Sequence, residues 1–171
     1  MNPRYWHPNR LPRSEWDRIR ARVLERDSYT CVSCEHRSRK GMIVHHLVDS
    51  ADNTIQNLAT VCVACHAVLH LGLSLQHGTV EIWESDFTQV ELIQLTRDGV
   101  EEGHSLELIK ESFPLSPGPF PCGSIRYAND LVRSMDATSR ISLPLPLCAI
   151  FVKFTNWQIA PNTIQLTLPA V

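Results

Sequence analysis

Cys31-Val-Ser-Cys34, then Val44-His45-His46-Leu47, then Asn57-Leu-Ala-Thr-Val-Cys62-Val-Ala-Cys65-His66 and, four residues on, His70 form the stretch on which the fold turns. Two C-x-x-C pairs without a secretory leader read as a zinc site rather than a disulfide framework. Four thiolates on one zinc make a closed structural centre, and so small a core needs such a staple. Met42 to His46 (MIVHH) predicts a short strand, residues 47–57 a loop, Leu58 to Val61 a second strand, and Val63 to Leu71 a helix stopped by Gly72. Adjacent strand residues His45 and His46 must face opposite ways, whereas His66 and His70, at i and i+4, share a helix face. One strand histidine can therefore join the helix pair around a metal while the other is left to act on a water.

Pro3, Pro8 and Pro12 mark an extended arm, and Ser14 with Asp17 three residues on reads as a helix start. Trp16, Ile19, Val23 and Leu24 then repeat as one face of a helix ending near Asp27. Residues 1–40 hold ten basic side chains against five acids, whereas residues 78–171 hold six against eleven. A basic front suggests a polyanion partner, with Arg18, Arg20, Arg22, Arg37, Arg39 and Lys40 as phosphate contacts. His7, His36, His77 and His104 lack partners at metal spacing and read as surface. Cys122 and Cys148 read as buried small side chains.

Beyond residue 77 the pattern is weaker. Residues 79–96 alternate imperfectly and read as two strands around Ser85–Asp86, and the acids of 81–111 read as a solvated face. PLSPGPFP (114–121) reads as a linker or rigid turn rather than an element interior, and residues 149–154 and 163–168 read as strands. No constellation bearing chemistry stands out in this half.

Taken together, C31-x-x-C34, V44-H45-H46-L47, N57-L58-A59-T60-V61-C62-x-x-C65-H66 and H70, with the lead-in W16-x-x-I19-R20-x-x-V23-L24-x-R26-D27-x-Y29-x-C31, resemble the HNH (ββα-metal) endonucleases over roughly residues 14–72. The resemblance implies an α+β protein: a small ββα-metal (His-Me finger) nuclease domain over 1–77 with a structural four-cysteine zinc knuckle, and an uncharacterised mostly β or α+β region over 78–171. It implies His46 as the general base that activates water against a DNA phosphodiester. His45 and His66 would hold one divalent cation, with His70 as third ligand or phosphate contact. Asn57 would brace the inter-strand loop so that a backbone carbonyl orients the His46 ring, and Cys31, Cys34, Cys62 and Cys65 would hold zinc. Many members carry Asp where this chain has His45. Imidazoles favour Mn²⁺, Ni²⁺ or Zn²⁺ over Mg²⁺ by ligand type, and Ala51-Asp52-Asn53 stands where glycines are common.

The implied partner is double-stranded DNA, with a homodimer or two successive nicks needed to cut both strands. The rival readings are a zinc-containing DNA-binding module without hydrolysis and a toxin-like nuclease acting on RNA. The longest apolar run, Leu147 to Val152, falls far short of the ~20 residues that span a bilayer, and MNPRYWHPNR lacks the apolar stretch of a secretory signal. A cytoplasmic protein without a membrane partner is the expectation.

Overall fold

The structure is a computed structural model, which describes residues 11–118 and 146–153. It is a mixed α+β protein. Helix α1 (Arg13–Arg26) leads into the first cysteine pair, followed by β1 (Met42–His46), a 3-10 turn (Ile55–Asn57), β2 (Leu58–Cys62), α2 (Val63–Leu69) and α3 (Leu71–Gln76). Then come β3 (Val80–Glu84), α4 (Gln89–Glu101), α5 (Leu106–Ser112), the two-residue β4 (Ser116–Pro117) and β5 (Leu147–Phe151).

Strands β1 and β2 form an antiparallel hairpin in which Met42 faces Cys62, His45 faces Ala59 and His46 faces Leu58. A second antiparallel sheet has the order β4-β3-β5, with Ile82 opposite Ala149. Val23 and Leu24 of α1, Met42 and Val44 of β1, Leu58 and Val61 of β2, and Val68 and Leu71 pack in one buried cluster. Val80, Ile82, Ile93, Leu147 and Phe151 belong to the same cluster, so a single core runs across residue 77. At ~1.5–3 kcal/mol for each large apolar side chain withdrawn from water, this burial is the main force holding the cluster together.

Polar ties place the hairpin on α1. Arg26 pairs with Asp27 and donates to the Ile55 carbonyl at 2.7 Å and the Leu58 carbonyl at 2.8 Å. Asp27 accepts from the Thr60 amide at 2.9 Å. Gln89 of α4 bonds both the amide and the carbonyl of Ala149, so its side-chain amide satisfies backbone groups of β5 as a neighbouring strand would.

Several sequence expectations need correction. Helix α1 has Pro12 at its N-cap with no side-chain cap bond, so Ser14 does not start it. The helix expected over 63–71 breaks at His70 (φ −107°, ψ 43°) and restarts as α3, with Gly72 buried inside it rather than ending anything. The second strand expected within 79–96 is helix α4. Thr88 caps it by accepting from the Glu91 amide while Glu91 bonds the Thr88 amide in return, a reciprocal capping box that starts a helix. The strand expected over 149–154 runs instead over Leu147–Phe151. The expectations for Pro3, His7, Pro8, residues 119–121, Cys122 and the strand at 163–168 lie outside the described residues. Among the described residues no helix is long and apolar enough to cross a membrane.

Candidate metal centres and the histidine site

The four cysteines converge. Cys31, Cys34, Cys62 and Cys65 are buried, and their sulfurs all lie within 4.8 Å of one another. The turn after Cys34 is tight: Glu35 takes a left-handed conformation (φ 60°) so that its amide reaches the Cys31 carbonyl at 3.0 Å. Cys65 comes from the first turn of α2, where its amide points at Cys62 Sγ. Cys34 Sγ and Cys62 Sγ are 3.6 Å apart. A tetrahedron with Zn–S bonds of ~2.3 Å has edges of about 3.8 Å, so the set fits a zinc-sized ion with tetrahedral preference. The cluster could hold a structural metal such as zinc.

Contacts from Cys31, Cys62 and Cys65 hold the Cys34 thiol far below its ordinary range, against the cost of burial. Arg97 of α4 lies against the same sulfurs, donating to Cys62 Sγ at 3.3 Å and facing Cys34 Sγ at 3.7 and 3.8 Å. Burial pulls the Arg97 guanidinium down, but its contacts with the Cys62 and Cys34 sulfurs more than offset it and hold the group above its ordinary value. His36, expected at the surface, is half-buried. Burial, with the charge of Arg97, holds its imidazole below the ordinary value.

A second cluster stands on the hairpin and α2. His45, His66 and His70 each offer a ring nitrogen within 4.8 Å of the others. The ring centroids are 5.3 Å apart for His45–His66, 5.2 Å for His45–His70 and 4.5 Å for His66–His70. Burial, reinforced by His70 and His45, pushes His66 down to about 3; partial desolvation also lowers His70, the most exposed of the three. Neutral imidazoles are the form that binds a cation. Three of them close together suit a divalent transition ion better than a hard oxygen-seeking one.

His46 points elsewhere, as strand alternation requires. Its ring stacks on Trp16 of α1, 5.7 Å between centroids and 14° from parallel, and its Nε2 lies 3.0 Å from Asn53 Oδ1. With a carbonyl oxygen as acceptor, Nε2 carries the hydrogen and Nδ1 keeps the lone pair. The group at His46 Nε2 is thus a side-chain carbonyl from Asn53, where the resemblance implies a backbone carbonyl.

Asn57 is buried beneath this loop. Its Oδ1 accepts from the amides of Val48 (3.0 Å) and Asp49 (3.4 Å), and its Nδ2 donates to the carbonyls of Asp49 (2.6 Å) and Asp52 (2.8 Å). One side chain therefore fastens both arms of the loop that carries Asn53. Two further residues, Trp16 and Arg97, gain roles that the sequence did not assign. In the sequence Trp16 belongs to an apolar face and to the lead-in motif, and no local pattern connects Arg97 to cysteines more than thirty residues away.

The basic candidates divide. Arg20 donates to the Met42 carbonyl at 2.9 Å, Arg37 to the Ser28 carbonyl at 3.0 Å, and Arg39 lies over the Tyr29 ring at 5.2 Å. Arg18 and Arg22 of α1 and Lys40, just before β1, are exposed. Compared with known proteins, the chain matches no family model and no curated protein.

Proposed function

We propose that the protein is a metal-dependent endonuclease of the HNH (ββα-metal) type that hydrolyses DNA phosphodiester bonds. The observation that supports this reading is the clustering of the His45, His66 and His70 imidazoles next in sequence to a fourth on β1, His46, whose ring stacks on Trp16 and meets Asn53. A zinc-binding module alone would need none of these four.

His45, His66 and His70 would hold the cation, which when bound supplies Lewis-acid stabilisation of a phosphate oxygen and of the departing 3′ oxygen. His46 is the general base. Nδ1 takes a proton from the attacking water as the new P–O bond forms and the P–O3′ bond breaks. The products are a 5′-phosphate and a 3′-hydroxyl, the latter protonated from solvent. Trp16 and Asn53 position the His46 ring, and Asn57 holds the loop from which Asn53 reaches it. Arg18, Arg22, Arg39 and Lys40 contribute phosphate contacts without sequence preference.

The test is nicking of supercoiled plasmid by zinc-loaded protein with Mg²⁺, Mn²⁺, Ni²⁺ or EDTA, for wild type and His66→Ala. Cleavage that needs an added divalent ion and is lost in His66→Ala, at unchanged zinc content, is the expected result. DNA binding without cleavage by wild type would replace the proposal with a non-catalytic DNA-binding module. Cleavage of matched RNA but not DNA would reassign the substrate.

A further inference from the structure

Arg97 is 8% exposed, and burying a guanidinium is costly unless its charge is met. Two sulfurs are among the groups that meet it: Cys62 Sγ at 3.3 Å and Cys34 Sγ at 3.7 and 3.8 Å. One turn earlier on the same helix, Gln94 donates from Nε2 to the Cys34 carbonyl at 3.2 Å. The Gln94 and Arg97 contacts to Cys34 bridge some sixty residues of sequence, from the C-terminal half of the chain to the first cysteine knuckle. Zinc bound by four thiolates carries two net negative charges, and a cation against two of the sulfurs offsets part of that charge without entering the coordination sphere.

We propose that Arg97 is an outer-sphere member of the tetrathiolate zinc centre and that zinc binding and the docking of α4 are coupled through it. Coordination fixes the sulfurs, as thiolates, where the guanidinium meets them. By linkage, the factor by which docked Arg97 tightens zinc is the factor by which zinc tightens the docking of α4. Helix α4 is then fastened to the first cysteine knuckle through the metal centre as well as through the shared core. This inference rests on the cysteine cluster and not on the hydrolytic reading, so it survives or fails independently of nuclease activity.

The experiment uses the full chain, in wild-type, Arg97→Met and Arg97→Lys forms, each loaded with one equivalent of zinc. Two quantities are read: zinc affinity by chelator competition, and amide exchange across α4. Partners of metal ligands are typically worth about 10–100-fold in affinity. Arg97→Met is expected to weaken zinc by that order and to speed exchange in α4, with the β1–β2 hairpin still protected. Arg97→Lys keeps the charge but loses the fork of donors, so it is expected to fall between wild type and Arg97→Met. Zinc affinity within twofold of wild type in Arg97→Met would overturn the coupling whether or not α4 loosens. If Arg97→Met does not fold, Arg97→Lys and Gln94→Leu decide the matter by the same two readings, and wild-type affinity in both would overturn it. Failure of the wild type to bind one zinc would also overturn it.

Discussion

Replacing Asn57 by alanine removes four side-chain hydrogen bonds from the β1–β2 loop at once. Two are accepted from Val48 and Asp49 amides and two are donated to Asp49 and Asp52 carbonyls, over 2.6 to 3.4 Å. A well-formed neutral bond contributes about 1 kcal/mol net. The 3.4 Å contact counts for less, and Val48 and Asp49 are exposed, so their freed backbone groups can turn to water. The expected cost of Asn57→Ala is therefore about 2–3 kcal/mol, which for a chain of this size lowers the melting temperature by roughly 5–10 °C. Asn57→Asp keeps the acceptors but sets a carboxylate against the Asp49 and Asp52 carbonyls, so it should cost at least as much. Urea unfolding of the zinc-loaded protein at neutral pH gives the stability change, and amide exchange at residues 48–54 shows whether the loss is local. A change below about 0.5 kcal/mol with unaltered loop exchange would refute the idea that Asn57 holds this loop.

Further outcomes follow from single contacts. A Cβ at Gly99 would sit 2.8 and 2.9 Å from the Cγ1 and Cδ1 of Ile109, so Gly99→Ala should cost about 1–2 kcal/mol once its better helix propensity is set against the overpacking. Adding Ile109→Val should recover part of that loss; strict additivity of the two costs in urea melts would show that α4 and α5 do not press together there. Burial raises the Asp27 carboxyl, but contacts from Arg26 and Thr60 outweigh it and hold the group below its ordinary value. Its folded pKa lies below the unfolded one, so its contribution is complete above the unfolded value and is lost as pH falls through the folded value. The stability gap between wild type and Asp27→Asn should then be flat near neutrality and narrow from about pH 5 downward; a gap unchanged by acid would contradict that role.

Much of the site could be read from the sequence because its signals are local. The C-x-x-C spacing, the His45–His46 pair on a β-prone run and the i, i+4 histidines each fix geometry within a few residues. The apolar face Trp16, Ile19, Val23 and Leu24 likewise announced α1. What escaped the sequence reading was of two kinds. One was a local signal overridden by a competing pattern: Thr88-Gln-Val-Glu91 is a helix start, but the imperfect alternation of 79–96 suggested strands. The other left no local trace. Arg97 reads as an ordinary helix charge until the fold carries it onto Cys34 and Cys62, and Asn53 reads as a turn residue until the loop carries its carbonyl to His46. Gly72 misled for a related reason. The break falls at His70, whose backbone leaves the helix two residues before the glycine and so turns the chain into α3.

The most direct measurement is single-turnover nicking of supercoiled DNA by wild type and His46→Ala, matched for zinc content and tested with the same divalent ion. If His46 is the general base proposed above, its loss should slow cleavage by about 10²–10⁴-fold, with DNA binding and folding unchanged. Cleavage by His46→Ala at the wild-type rate, or none by zinc-loaded wild type with any divalent ion, would contradict the assignment of this site as a phosphodiesterase.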